Sequence, residues 1–142
     1  MWKYEHSIIT EATPDSIWEL YRNISEWTKW DKDVIDVKLD GPFDKGVTGC
    51  MTLTGQEPFL FTLTEVKENE FFSNTTVLER AGIQLDFHHR IERHKTKTKV
   101  THSVVISGSN AEMIGNQIGP MITKGIPNSM TNLEMLARGD IS

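Results

Sequence analysis

The sequence holds a single cysteine, Cys50, which excludes an internal disulfide and leaves no thiolate set for a metal. A lone cysteine fits a reducing compartment, so a cytoplasmic location is expected. Positive charge is also scarce: 15 Lys and Arg stand against 20 Asp and Glu, for a formal net charge of −5. Nucleic-acid binding needs clustered basic side chains. Here they are dispersed, and the one dense stretch, Arg90 to Lys99, reads as a solvated hairpin tip. Nucleic acid is therefore not an expected partner. No apolar run approaches the roughly 18–20 residues that span a bilayer, so membrane insertion is not expected either. The opening Met1-Trp2-Lys3-Tyr4-Glu5-His6 lacks the apolar core and cleavage site of a signal peptide.

Several catalytic signatures are missing as well. No glycine cluster has the spacing of a phosphate-binding loop, and no Gly-x-Ser-x-Gly elbow occurs. Asp40, Asp44, Glu68 and Glu70 fall in turns, and no carboxylate pair suits glycoside chemistry. No cofactor and no metal is implied.

What is present fits one folded domain spanning residues 1–142. At 142 residues, 37% hydrophobic and 25% charged, a chain removes roughly 68–70% of its unfolded surface from water on folding. Periodicity gives the elements. Trp2 to Glu11 reads as a strand with Tyr4, His6 and Ile8 on one face. Thr13 is a good helix N-cap with Pro14 behind it at the first helical position. Ile17, Trp18, Leu20, Tyr21 and Ile24 form one apolar stripe. Ser25 is expected to cap a second short helix carrying Trp27 and Trp30.

Six strands joined by short turns follow: Val34 to Leu39, Val47 to Thr54, Phe59 to Val66, Phe71 to Arg80, Ile83 to Arg93 and Lys99 to Ser107. Phe59, Phe61 and Leu63 share one face. Ala111 to Arg138 reads as helix, with Asn110 as its N-cap and Gly139 as its stop. Ile114, Ile118, Met121, Ile122, Ile126, Met130 and Leu133 recur every three or four positions. Gly119-Pro120 and Gly125-Ile126-Pro127 predict a kink or break. The expected class is α+β, a seven-stranded curved antiparallel sheet wrapped around a long C-terminal helix, with two short helices after the first strand.

The most informative feature is a histidine pair. Alternation places Leu85, Phe87, His89 and Ile91 on one face of their strand, and Val100, His102, Val104 and Ile106 on one face of the next. A tight turn near Lys95-Thr96 sets Ile91 opposite Val100, His89 opposite His102, Phe87 opposite Val104 and Leu85 opposite Ile106. The two imidazoles then stand about 5 Å apart at Cβ on an otherwise apolar inner face. His6 is a candidate to point inward beside them.

Three readings of this pair stand side by side. The histidines are hydrogen-bonded cavity-wall residues. Or they orient the hydroxyl or carboxylate of a ligand. Or His89 or His102 is the base of a dehydration or aldol-type cyclisation. A two-histidine metal site lacks a third ligand, since no Asp or Glu falls nearby on the same inner face. Trp27 and Trp30 either cap the open end of the sheet or form a lid over a cavity. Met51, Met121 and Met130 supply adaptable apolar surface, in the core or against a ligand.

The order of elements carries a resemblance. Ile9-Thr10-Glu11-Ala12-Thr13-Pro14-Asp15-Ser16-Ile17-Trp18, the paired aromatics of Ile24-Ser25-Glu26-Trp27-Thr28-Lys29-Trp30-Asp31, the hairpin Gly41-Pro42-Phe43-Asp44-Lys45-Gly46 and the late strand Phe87-His88-His89-Arg90-Ile91-Glu92 together resemble the START-like (SRPBCC, helix-grip) superfamily. The resemblance runs over about residues 2 to 138 and points to its polyketide cyclase/dehydrase and lipid-transport branch. It implies a cavity between sheet and C-terminal helix for a small hydrophobic molecule. His6, Trp27, Trp30, Met51, Phe61, Leu63, Phe87, His89, His102, Val104, Met121 and Met130 are the candidate lining. Members of the superfamily include lipid carriers, aromatase/cyclases and chaperone co-activators, so a carrier, an enzyme using His89 and His102, and an interaction module are the competing functions. A monomer or homodimer is expected.

Overall fold

The computed structural model describes residues 1–142. Strand β1 (Trp2–Thr10) leads into helix α1 (Pro14–Arg22), a 3-10 turn over Ile24–Glu26 and the short helix α2 (Trp27–Trp30). Strands β2 (Val34–Leu39), β3 (Thr48–Leu53), β4 (Phe59–Lys67), β5 (Phe71–Leu78), β6 (Ile83–His94) and β7 (Lys97–Ser107) follow, and helices α3 (Ala111–Thr123) and α4 (Ile126–Arg138) close the chain. The seven strands form one antiparallel sheet in the order β1-β7-β6-β5-β4-β3-β2, so the first strand pairs with the last. Register shifts at Val34/Asp36 and Leu63/Glu65 mark bulges. Each bends its strand and raises the local twist, which helps the sheet curl around the helices.

Local chemistry explains most boundaries. The Thr13 hydroxyl accepts from the Ser16 backbone N–H at 3.2 Å, and Pro14 begins α1 where no N–H partner is needed. The hairpin between β6 and β7 turns on Lys95 and Thr96, with His94 paired to Lys97 and Lys95 at φ 58°. Its register sets Ile91, His89, Phe87 and Leu85 against Val100, His102, Val104 and Ile106, the pairing the sequence predicts.

Three local expectations differ. Ser25 does not cap α2 but lies within the preceding 3-10 turn. Asn110 makes no capping bond and instead donates its side-chain N–H to the Ala81 carbonyl at 2.9 Å, tying the start of α3 to the β5–β6 connection. Pro120 lies inside α3 without ending it. The C-terminal helical stretch breaks at Lys124 and Gly125, at the second of the two interruptions the sequence predicts, and Pro127 sits in the first turn of α4.

The break divides the interior. Around α4, a core of Ile17, Trp18, Tyr21, Trp27, Trp30, Phe61, Leu63, Phe72, Met130 and Leu133 is packed tightly between α1, α2 and the sheet. Around α3, a smaller cluster of Ile83, Leu85, Val104, Ile106 and Ala111 is joined by the half-buried Trp2, Phe87, Ile118 and Ile122. Ile126 packs against both clusters. Trp2 docks α3 closely: its ring lies against Gly115 and Gly119, where any Cβ would overlap it.

Candidate functional site

Three histidines lie in one row across neighbouring strands, because His6 on β1 and His89 on β6 both pair with His102 on β7. The rings of His89 and His102 stand 4.7 Å apart, edge to face. Their roles differ. His102 is buried, and its Nε2 meets the Tyr21 hydroxyl at 2.7 Å. Burial pushes the Tyr21 phenol well above its ordinary range, so it remains an O–H donor. Burial, and then the charge of His6, holds His102 down to about 3, so its neutral Nε2 is the acceptor.

His89 stacks face to face on Phe72, 3.9 Å between centroids and nearly coplanar. Its Nδ1 is 3.3 Å from the Phe72 carbonyl, which can only accept, so the Nδ1 proton is fixed there. Burial, and next the neighbouring His102, lower its pKa well below the ordinary imidazole value. The neutral ring therefore offers an unprotonated Nε2. His89 keeps some accessible surface despite its depth because it borders a cavity.

That cavity has a volume of about 100 Å³ and is also bordered by Trp27, Trp30, Met51, Phe59, Phe87 and Asn74. A second, larger compartment of about 420 Å³ adjoins it, sharing Leu53, Phe59 and Phe87. Leu78 and Leu85 of the sheet and Ile118, Met121 and Ile122 of α3 line this outer part. The two lie side by side with these walls in common, a larger apolar space against α3 and a smaller one with a polar end. A depression of similar size on the outer sheet face, about 430 Å³ between Glu5, His88, Arg90 and Lys99, offers almost no apolar surface.

The structure thus brings Trp27, Trp30, Met51, Phe87 and His89 to the inner compartment and Phe87 and Met121 to the outer one. Met121 sits at the rim, 68% exposed. Phe61, Leu63, Val104, Met130 and His102 are packed in the interior and border neither compartment, while His6 is half-buried on β1. The reason is the depth to which α1 and α2 drive their aromatics. Trp27 stacks on Phe61 and Phe72, and both indoles are tied down, Trp27 Nε1 donating to the Tyr21 carbonyl at 2.8 Å and Trp30 Nε1 to the Leu20 carbonyl at 3.1 Å.

Three polar residues at the inner end were not anticipated. Asn74 is only 4% exposed, and its amide has no hydrogen-bond partner in the protein. Its place on β5, in step with Phe72, was the available signal. Asp31 and Asp33 also border the inner compartment, although neither lies on the inner face of the sheet that carries His89. They arrive from the end of α2 rather than from the sheet. Asp31 Oδ1 accepts from the Asp33 backbone N–H at 3.1 Å and the Ser129 hydroxyl at 3.4 Å, leaving Oδ2 free. Burial raises the Asp31 pKa above its ordinary value, the first of these bonds opposes that shift, and the charge of Asp33 adds to it. No three His, Cys, Asp or Glu side chains converge as a metal-holding group.

A family model described as polyketide cyclase/dehydrase and lipid transport matches residues 1–134. No curated protein sequence matches. Solved structures match over nearly the whole chain. A hypothetical protein from Helicobacter pylori has TM-score 0.78 at 12% identity, covering 95% of this chain and 87% of its own. The protein Ara h 8.0201 has 0.75 at 11%, covering 96% and 97%. A truncated norcoclaurine synthase from Thalictrum flavum has 0.71 at 13%, covering 94% and 91%. At these identities the likeness is one of fold, the helix-grip arrangement of a curved sheet around C-terminal helix.

Proposed function

We propose, from the premise that the chain belongs to the polyketide cyclase/dehydrase and lipid-transport family, that it binds a small hydrophobic molecule in the groove between its sheet and α3. One observation carries the reading: an apolar compartment of about 420 Å³ adjoins a small inner one that His89 and Asn74 border with side chains left unpartnered at Nε2 and the amide. Pockets for small molecules combine these features, apolar walls for affinity and a few polar groups for orientation. Burying about 200 Å² of apolar ligand surface supplies about 5 kcal/mol before the cost of immobilising the ligand. A fluorescent lipid and sterol panel, with native mass spectrometry of the purified protein, tests the reading. Saturable binding or a co-purified small molecule is expected, and silence across both overturns it.

A second reading is favoured by the free Nε2 of His89, whose lone pair borders the cavity. That is the placement of a general base in a cyclase or dehydratase. Its low pKa keeps it deprotonated but makes it a weak base, and His102 is already engaged by Tyr21. Binding is therefore the stronger reading. If a turnover assay is found, His89→Ala should abolish activity even at saturating ligand. Turnover at the native rate would end the catalytic reading.

A further inference from the structure

The groove is selective in charge as well as in polarity. Three carboxyl groups border its compartments, Asp31 and Asp33 inside and Glu57 at the outer part, and no lysine or arginine borders either. The open valences at the inner end are mostly acceptors. His89 Nε2 is an acceptor because Nδ1 holds the proton against the Phe72 carbonyl. Asp31 Oδ2 is free because both bonds to that carboxyl fall on Oδ1. Asn74, only 4% exposed and unpartnered, supplies the one donor besides its own acceptor. The amide is not sealed off from the cavity it borders, so a molecule bound there can complete its bonding.

We infer that the inner end is a head-group site for a primary amine borne on an apolar body, the ammonium lying among His89, Asn74, Asp31 and Asp33 and the apolar part running out past Phe87 toward Ile118 and Ile122. This rests on the ligand-binding reading above and names the ligand class. An ammonium presents three N–H donors and no acceptor, matching the acceptors here, and its charge is complementary to the lining. An alcohol satisfies the acceptors without the charge. A carboxylate meets acceptors and like charge, so it is excluded despite finding one donor in Asn74.

The test is isothermal titration at neutral pH with octylamine, 1-octanol and octanoate, which share one tail. Octylamine should bind about ten-fold more tightly than 1-octanol, and octanoate about ten-fold more weakly than 1-octanol. Asp31→Asn keeps one acceptor oxygen and removes the charge, and should bring octylamine to within about three-fold of 1-octanol when both are titrated into the same variant. Asp33→Asn, at an exposed residue, provides the same readout should the first variant not fold. Octanoate binding as well as octylamine, or an amine preference that survives both substitutions, overturns the head-group assignment while leaving the groove as a binding site. If none of the three compounds binds and the lipid panel is also silent, the binding reading itself falls.

Discussion

At the scale of single residues, the unusual feature is how much polarity is held inside. Tyr21, His102 and His89 are enclosed by aromatic rings, and only His89 borders open space. Both histidines have folded-state pKa values below their ordinary value of 6.5. As pH falls below 6.5 the unfolded chain takes up protons that the folded chain refuses, so stability rises with pH through this window. For His102 the window runs from 6.5 down to about 3. Each histidine contributes a slope of up to about 1.4 kcal/mol per pH unit. Asp31 acts in the opposite sense: its raised pKa makes the folded chain hold a proton that the unfolded chain releases as pH rises past 3.8. One carboxyl does not cancel two histidines, and unfolding free energy should fall on acidification from pH 6.5 to 4.5. His89→Phe keeps the stack on Phe72 and removes one titration. Denaturant unfolding across that range should show a slope shallower by up to about 1.4 kcal/mol per pH unit than in the native protein. Equal slopes would mean that His89 titrates normally in the folded state. Strand alternation located these histidines, and applied to β5 it also reaches Asn74. It could not reach Asp31, because a four-residue helix has no period to read.

At the scale of elements, legibility followed from whether the deciding contacts are local. Thr13 and Pro14 start α1 through bonds within three residues, and the β6–β7 register follows from a two-residue turn and side-chain parity. Asn110 and Pro120 misled because their roles depend on distant groups. Asn110 bonds Ala81, and α3 containing Pro120 is held by Trp2 from the far end of the chain. That contact makes an otherwise favourable substitution harmful. Gly to Ala inside a helix ordinarily gains about 1 kcal/mol. At Gly119 the new Cβ would lie 2.3 Å from Trp2 Cζ2, and at Gly115 2.6 Å from Trp2 Cβ. Gly119→Ala should therefore lower stability by about 1–3 kcal/mol, as overpacking does, measured by denaturant unfolding. In a Trp2→Ala background the same change should become neutral or stabilising, a coupling that a double-mutant cycle reads directly. A stabilising Gly119→Ala in the native background would show that Trp2 does not pin α3.

For the whole molecule, the succession of one strand, two short helices, six strands and a C-terminal helical stretch was enough to name the helix-grip arrangement, since each element advertises its own period. The size and position of the cavity were not legible. They depend on how far α1 and α2 push Trp18, Tyr21, Trp27 and Trp30 into the sheet, a sum of side-chain volumes from distant segments. The result leaves the larger open space beside α3 and only a small one against the core that surrounds α4. Ligand space should therefore be removable without touching the α4 core. Ile118 is half-buried on α3 and borders only the outer compartment. Ile118→Trp places a larger apolar side chain in open space, where overpacking strain is small. The free protein should melt close to the native temperature. A ligand at one hundred times its dissociation constant stabilises a protein by about 2.7 kcal/mol, and the corresponding thermal shift with 1-octanol should be present in the native protein and lost in this variant. An undiminished shift would locate the bound molecule away from α3, because no ligand in the outer compartment could avoid an indole standing in its path.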